Sequence, residues 1–338
     1  MASASASAPA VSKPSLNKPP PMAGRFESSD QKVDRNFSEQ EKKRLGLLLE
    51  KYSENAPQPS DFSDTYSAQE IARDELDLAK AKTEHKRTPE EREVYFYSKV
   101  LELAMDTFSD AWLPSVLCRV SEYDDVKRGT DGLLEANSDK TGQVLRLLID
   151  ITSGVEEVDK KLAAIENNLR NGNLQLIKYY DSELGQIEPG KHYLKTIIGA
   201  GRGQVVELGR LMLNYQVVTQ EIKTHNQKNN SDRTVITALT EKKKRIFDHI
   251  KAHPLASDIS LAIKLQLMHS INTLSALGKA ERPKDIHQQI EELKEWLEII
   301  RRHERTLTPK ADKGYFNPVQ NRLLDNFRDL LGNPANVS

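Results

Sequence analysis

Residues 129–152 read GTDGLLEANSDKTGQVLRLLIDIT, two apolar runs separated by a polar turn. Strand-forming residues on both sides of such a turn predict two adjacent strands, at 129–136 and 144–152. Each predicted strand carries one acidic residue among apolar neighbours, Asp131 in the first and Asp150 in the second. A buried carboxylate is costly unless it is paired or holds a cation. The stretch therefore predicts a sheet and, on that sheet, a site.

The pattern on both sides of these strands alternates between helix and strand. The predicted helices are 38–52, 67–85, 89–112, 154–171, 203–222, 234–251, 256–277, 284–304 and 319–331, and two more strands are predicted at 173–180 and 194–199. Thr88-Pro89-Glu90-Glu91 is a strong start signal for the third helix, which is expected to be well buried. This order predicts an α/β fold, with a mixed-sheet core and flanking helices, plus N-terminal helices and a C-terminal helical bundle.

Composition divides the chain into five regions. Residues 1–35 are rich in Ala, Ser, Pro and Lys, which predicts a disordered tail. A transit peptide is an alternative for this tail, because no acidic residue precedes Glu27. The remaining regions are an N-terminal helical region at 36–88, an α/β core at 89–225, a helical region at 232–305, and a C-terminal tail with one short helix at 306–338.

Charge and cysteine usage limit the classes of function. Among 338 residues, 29% are charged and the formal net charge is −1, so any polyanion has to be held by a local patch. The single cysteine, Cys118, allows no intrachain disulfide and no cysteine metal cluster, and we interpret it as a core residue. No apolar run approaches the ~18 residues of a membrane span. A reducing cytoplasm is therefore expected, with no membrane partner.

The two acidic residues suit a cation. Mg²⁺ prefers hard oxygen ligands, and two carboxylates on adjacent strands can converge on one ion. Such an ion activates a water molecule and neutralises charge on a phosphodiester, and a nearby lysine stabilises the same transition state. Asp131 and Asp150, with Lys160 or Lys161 on the following helix, provide this set. They predict a Mg²⁺-dependent catalytic site.

Over about residues 90–215, the chain resembles the PD-(D/E)XK nuclease-like superfamily. In that family, a helix with an acidic residue precedes a strand with Asp, and the next strand carries Asp or Glu, any residue, and Lys. Here Asp131 matches the first strand carboxylate, and Asp150-Ile151-Thr152 takes the place of the second element. By the resemblance, Glu102 or Glu122 is the additional acidic ligand.

The sequence departs from the family pattern at Thr152, which stands where the catalytic lysine is expected. The resemblance implies that Lys160 or Lys161 replaces it and that the protein hydrolyses phosphodiester bonds of DNA or RNA. Lys127, Arg128 and Arg202 are the expected nucleic-acid contacts. The alternative is a catalytically inactive interaction or scaffold protein that retains the fold. A homodimer through the C-terminal helices is plausible for both.

Other interpretations of the same residues stay open. Asp131 can end a turn after Gly129, a position where Asp is favoured. Asp150 can cap the following helix or pair with Arg146 or Lys178, and the two lysines can form a solvated helix face. The turn Gly199-Ala-Gly-Arg-Gly203 also suggests a nucleotide-binding regulator, although it does not match the dinucleotide pattern.

Overall fold

The computed structural model describes residues 36–84, 87–227, 233–277, 284–306 and 317–327. The predicted tail at 1–35 lies outside these ranges. So do residues 307–316 and 328–338 of the predicted C-terminal tail, which include the last four residues of the helix predicted at 319–331.

Helices and short strands follow one another in an order close to the predicted one. The helices are α1 (Glu39–Glu54), α2 (Ala68–Glu84), α3 (Pro89–Trp112), α4 (Glu122–Arg128), α5 (Val155–Arg170), α6 (Arg202–Gln227), α7 (Arg233–Lys251), α8 (Leu255–Ala276), α9 (Lys284–Glu304) and α10 (Pro318–Asn326). The strands are β1 (Val116–Arg119), β2 (Gly132–Asn137), β3 (Val144–Thr152), β4 (Gln175–Leu176), β5 (His192–Tyr193) and β6 (Lys195–Gly199). A 3₁₀ turn, Pro59–Phe62, precedes α2.

Four strands form a mixed sheet in the order β1-β2-β3-β6. The first three strands are antiparallel neighbours, whereas β6 is parallel to β3. The parallel pair arises because α5 carries the chain back to the end of the sheet where β3 began, as a crossover connection does. The predicted α/β fold with flanking helices is therefore confirmed.

Helix α3 lies across the sheet and fixes one wall of the site. It begins where the sequence predicted, because Thr88 accepts a hydrogen bond from the N–H of Glu91 and the Glu91 side chain accepts one from the N–H of Thr88. Its buried side chains, among them Leu101 and Phe108, belong to the main hydrophobic core. Packing against β1, β3 and α6 holds the helix in place.

The predicted strand at 173–180 is wrong over most of its length. The paired residues there are β4, a two-residue strand paired with β5, and Tyr180, which forms an isolated bridge with Val120. Farther along, the N–H groups of Lys178 and Tyr179 donate to the buried carboxylate of Asp124, at 3.1 and 2.9 Å. At Lys178 and Tyr179 a side chain therefore accepts the N–H groups that a neighbouring strand would otherwise accept, and a residue pattern does not reveal such a contact.

Two short elements next to the site were not predicted, strand β1 and helix α4. Ser121 caps the start of α4, and Gly129 ends the helix in the left-handed conformation, with φ of 60°. Because the chain turns at Gly129, strand β2 starts at Gly132 and not at the predicted residue 129. Asp131 therefore stands directly before the strand.

The glycine turn after β6 packs against the start of α10. A Cβ atom on Gly199 would lie 2.1 Å from Cγ1 of Val319, and the N–H of Gly201 donates to Oδ1 of Asn317 at 3.0 Å. The glycines thus permit the close approach of α10. The N–H of Gly201, which a nucleotide phosphate would need, already donates to a side chain of the protein. Of the helices in the described ranges, none combines the length and the apolarity that a membrane span requires.

Candidate functional site

An acidic cleft of about 420 Å³ opens where α3, α4 and α5 meet the sheet. Its charged lining consists of Lys82, Arg87, Glu91, Lys99, Glu122, Asp125, Asp131, Asp150, Glu157 and Lys161. Among the described residues, six carboxylates and four cationic side chains line the cleft, a formal charge of −2. A cleft with this excess of negative charge favours cations.

The sequence-predicted acids meet in this cleft. The registers of β2 and β3 place Glu135 opposite Arg146 and Leu133 opposite Leu148. Continued by two more residues, the same register brings Asp131 to the level of Asp150. Asp131 is fixed there by the main chain of β3, because its N–H donates to the carbonyl of Ile149 at 3.0 Å and its Oδ2 accepts from the N–H of Ile151 at 2.7 Å.

A lysine that we did not predict from the sequence lies at the centre of the acidic group. Nζ of Lys99, on α3, lies 2.6 Å from Oε2 of Glu102, 2.8 Å from Oδ2 of Asp125 and 3.2 Å from Oδ1 of Asp131. Glu102, one of the two predicted helix acids, is therefore in the site. The three carboxylates come from α3, α4 and the start of β2, so Lys99 ties these elements together.

Asp150 has two lysine partners. Nζ of Lys161 lies 2.5 Å from Oδ1 of Asp150, and Nζ of Lys195 lies 3.2 Å from Oδ2. Lys195 also donates to the carbonyls of Arg128 and Gly129, so it joins β6 to the end of α4. Of the two predicted helix lysines, Lys161 belongs to the site, whereas Lys160 is exposed at the surface of α5.

The position of the missing lysine is filled by a buried hydroxyl. The side chain of Thr152 donates to Oε2 of Glu157 at 2.8 Å, and Glu157 lies 3.8 Å from Nζ of Lys161. At position 152, where the family pattern has a lysine, β3 therefore contributes no cation. Lys161 brings an ammonium group to Asp150 from the neighbouring helix instead.

Burial opposes the charge on both Lys99 and Glu102, but only the charge on Lys99 is favoured strongly enough by its neighbours to overcome it. Burial, reinforced by the nearby carboxylates of Asp131 and Asp125, outweighs the attraction of Lys99 and raises the pKa of Glu102 to about 8. Burial opposes the charge on Lys99, but the carboxylates around it raise the pKa of its ammonium group well above the ordinary value. The surroundings therefore favour the charged form of Lys99 and the protonated form of Glu102.

The pKa values of Asp131 and Asp150 shift in opposite directions. Burial opposes ionisation of Asp131, but Lys99, Lys161 and the N–H of Ile151 outweigh it and lower the pKa of this carboxyl. Burial raises the pKa of Asp150, with a further contribution from the charge on Asp131, even though Lys161 and Lys195 oppose it. Mutually perturbed carboxyls in a cleft are a feature of functional sites.

The other predicted site residues lie at or beyond the rim. Glu122 pairs with Lys82 at 2.6 Å, on the rim of the cleft and away from the Lys99 cluster. Lys127 is exposed on α4. Two arginines predicted to contact nucleic acid are engaged elsewhere: Arg128 binds the buried carboxylate of Asp124 at 3.0 Å, and Arg202 binds Glu93 at 2.7 Å. We therefore assign neither arginine to the site.

The structural alternatives for Asp150 are also resolved. Arg146 pairs with Glu135 at 2.8 Å, and Lys178 pairs with Asp74 at 2.5 Å, so neither is the partner of Asp150. Helix α5 starts after Gly154 without a side-chain cap, so Asp150 does not cap it. Among the described residues, the cations that hold this carboxylate are Lys161, which lines the cleft, and Lys195 of β6.

Three site residues were missed in the sequence. Lys99 precedes Glu102 by one helical turn, and Asp125 lies in the family-like stretch before Asp131, so helical spacing gave a usable signal for both. Lys195 had no such signal, because only the parallel pairing of β6 with β3 brings it to Asp150.

The donor chemistry of the cleft fits a hard divalent cation. Asp125, Asp131 and Asp150 offer carboxylate oxygens, the ligands that Mg²⁺ prefers. Within the described ranges, no three His, Cys, Asp or Glu side chains are arranged to hold a metal ion by themselves. The carboxylates converge on lysine ammonium groups, so a cation would have to displace at least one of these contacts.

No protein-family model, curated protein or solved structure matches this chain. The geometry of the cleft is therefore the basis of the functional argument.

Proposed function

We propose that this chain is a PD-(D/E)XK nuclease-like protein that hydrolyses phosphodiester bonds of DNA or RNA with Mg²⁺. The observation that carries the proposal is the meeting of Asp131 and Asp150 in one cleft, with the ammonium group of Lys161 on Asp150. The order of α3 with Glu102, the start of β2, β3 and α5 is also the order that the resemblance implies. Because that resemblance implies a nuclease, we propose nucleic acid as the substrate.

The charge of the cleft supports the need for a cation. With a formal charge of −2 among its described lining residues, the cleft repels a phosphodiester. One divalent cation offsets that charge, after which a polyanion can approach the buried acids. Substrate binding in the cleft is therefore expected to depend on the cation and to weaken when a chelator removes it.

The charged residues around Asp131 and Asp150 have different roles in the proposed reaction. Asp131 and Asp150, with Asp125 beside them, would hold the cation. Bound Mg²⁺ supplies a Lewis acid and lowers the pKa of a coordinated water molecule. The ammonium group of Lys161 stabilises negative charge that develops beside Asp150, the task of the lysine that Thr152 replaces in the pattern. Glu102, whose pKa burial raises, is the least suited of these acids to hold the cation.

A second candidate function is a catalytically inactive interaction or scaffold protein. It is favoured by one observation: Asp131 and Asp150 each have an ammonium partner from the protein itself, Lys99 for the first and Lys161 with Lys195 for the second. A protein that never binds a cation needs such partners. In that case, we propose that helices α7, α8 and α9 supply the interaction surface, including that of a homodimer.

Calorimetric titration with Mn²⁺ distinguishes the two functions. The wild-type protein, the double variant Asp131→Ala/Asp150→Ala and a control variant, Asp64→Ala, are compared. Asp64 is an exposed acid outside the cleft. The nuclease proposal expects binding by the wild type and the control, and none by the double variant. Wild-type protein that does not bind Mn²⁺ favours the inactive scaffold.

Cleavage of labelled DNA and RNA then tests the activity itself. Asp150→Asn keeps the size of the side chain but removes its charge, so it should abolish Mg²⁺-dependent cleavage while the circular dichroism spectrum stays unchanged. Cleavage retained in this variant would contradict the assignment of Asp150.

A further inference from the structure

The cleft contains an aromatic ring in an unusual environment. Tyr95, on α3, lines the cleft and is 37% exposed. The guanidinium carbon of Arg87 lies 3.7 Å from the centre of its ring, and Nζ of Lys99 lies 5.5 Å from the same point. Tyr95 thus connects the outer part of the cleft to the lysine at the centre of the acidic group. Nothing in the proposed hydrolysis uses this ring.

Arg87 is a further cation of the cleft. It is exposed, it lines the cleft, and it forms no ion pair with any acid in the described part of the chain. The other exposed cation of the cleft, Lys82, is paired with Glu122. Of the two exposed cations that the structure describes in the cleft, Arg87 can therefore bind a phosphate without giving up an ion pair.

The acids are almost completely covered by protein at the bottom of the cleft. The side chain of Asp131 is 13% exposed and that of Asp150 is 5% exposed. The cleft volume of about 420 Å³ falls in the range of pockets for small ligands, ~300–1,000 Å³. A phosphodiester has to enter this cleft to approach these carboxylates, and a flexible single strand or an unpaired end fits such a volume better than an intact duplex does.

We infer that the cleft takes single-stranded nucleic acid, with a base stacked on the Tyr95–Arg87 pair and Arg87 in contact with a phosphate. Aromatic rings and arginine planes are the surfaces on which proteins stack unpaired bases. This inference rests on the proposed function, because the acids at the bottom of the cleft would act on the strand that Tyr95 holds.

Fluorescence anisotropy tests the inference with labelled oligo(dT), oligo(U) and a DNA duplex of the same length, in Ca²⁺ buffer. The wild type should bind a single strand more tightly than the duplex, and the two single strands distinguish DNA from RNA. Tyr95→Ala should weaken single-strand binding by about tenfold to a hundredfold. Tyr95→Phe keeps the ring and is the matched control, which should bind as the wild type does.

Three results would overturn the inference. The first is equal or tighter binding of the duplex by the wild type, and the second is no binding of any oligonucleotide. The third is unchanged single-strand binding in Tyr95→Ala. Thermal melting checks that this variant folds, which the partial exposure of Tyr95 leads us to expect.

Mn²⁺ calorimetry separates this inference from the proposed function. If Tyr95→Ala alters neither single-strand binding nor Mn²⁺ binding while cleavage persists, only the single-strand inference fails. If the wild type binds single strands through Tyr95 but binds no Mn²⁺ and cleaves nothing, the hydrolytic function fails and the single-strand site stands.

Discussion

The ammonium group of Lys161 lies 2.5 Å from Oδ1 of Asp150, although the two residues belong to different elements of the fold. Asp150 is near the end of β3, and Lys161 is almost two helical turns into α5. The crossover connection folds α5 back against the sheet and so delivers the lysine to the strand. A cation can therefore stand beside Asp150 even though position 152 holds a buried threonine.

The adjacent lysines of α5 give a matched pair of variants. Lys161→Ala should lower kcat for phosphodiester cleavage on the order of a hundredfold, the effect of removing one group that stabilises transition-state charge. Lys160→Ala should leave kcat unchanged, because Lys160 is exposed on the same helix. Steady-state kinetics on a labelled oligonucleotide measures both. Equal losses in the two variants would show that position in the cleft is irrelevant.

Lys99→Met should tighten Mn²⁺ binding. The ammonium group of Lys99 contacts three carboxylates, and a cation that enters the cleft competes with it. Methionine keeps most of the length of the side chain but removes the charge, so we expect affinity to rise about tenfold, or ~1.4 kcal/mol. Calorimetry measures the change, and Lys127→Met, at an exposed lysine of α4, is the control. Weaker binding in Lys99→Met would mean that Lys99 organises the carboxylates and does not compete.

Glu102 should make stability depend on pH. Its pKa rises from 4.5 to about 8 in the folded protein, so between these values the folded state holds a proton that the unfolded state has released. The stability that this group provides is complete below about pH 4.5 and is lost as the pH rises through about 8. In Glu102→Gln this loss should disappear.

Urea unfolding of the wild type and Glu102→Gln at pH 5, 6, 7 and 8, with a chelator present, measures the effect. The difference in unfolding free energy, variant minus wild type, should grow steadily with pH. A difference that stays constant would mean that the folded and unfolded states of Glu102 ionise alike.

Arg146→Met should destabilise the fold strongly. Arg146 and Glu135 form a buried pair on neighbouring strands, and Arg146 also donates to Ser182 and to the carbonyl of Gln186. Removing one partner of a buried ion pair typically costs about 3–5 kcal/mol. The exposed pair of Arg170 with Glu166 is the control, and Arg170→Met should cost less than about 1 kcal/mol. Urea unfolding compares them, and similar losses would argue against the role of burial.

Much of the fold could be predicted from local sequence patterns. The capping box at Thr88 fixed the start of α3, and its apolar spacing correctly predicted a buried helix. The apolar runs around Asp131 and Asp150 predicted β2 and β3, and the turn at Gly129 shifted only the start of β2. These features depend on residues close together in the chain, which is why the sequence alone predicts them.

The rest of the site depends on contacts between distant segments. Lys195 reaches Asp150 only through the pairing of β6 with β3. The strand expected at 173–180 fails because Asp124, more than fifty residues earlier, accepts its N–H groups. Whether a lysine of α5 faces the cleft depends on the rotation of the helix about its axis, so the sequence left Lys160 and Lys161 equivalent.

If the proposed Mg²⁺-dependent function holds, the lysines around Asp131 and Asp150 make the folding of this protein independent of the metal. In domains whose ligands repel one another, the ion must arrive before the chain can fold. Here Lys99, Lys161 and Lys195 already balance the two acids, so the cleft can form in a cell that is short of divalent ions. Such a protein would be made complete but idle, and the free concentration of the cation would determine when it starts to work.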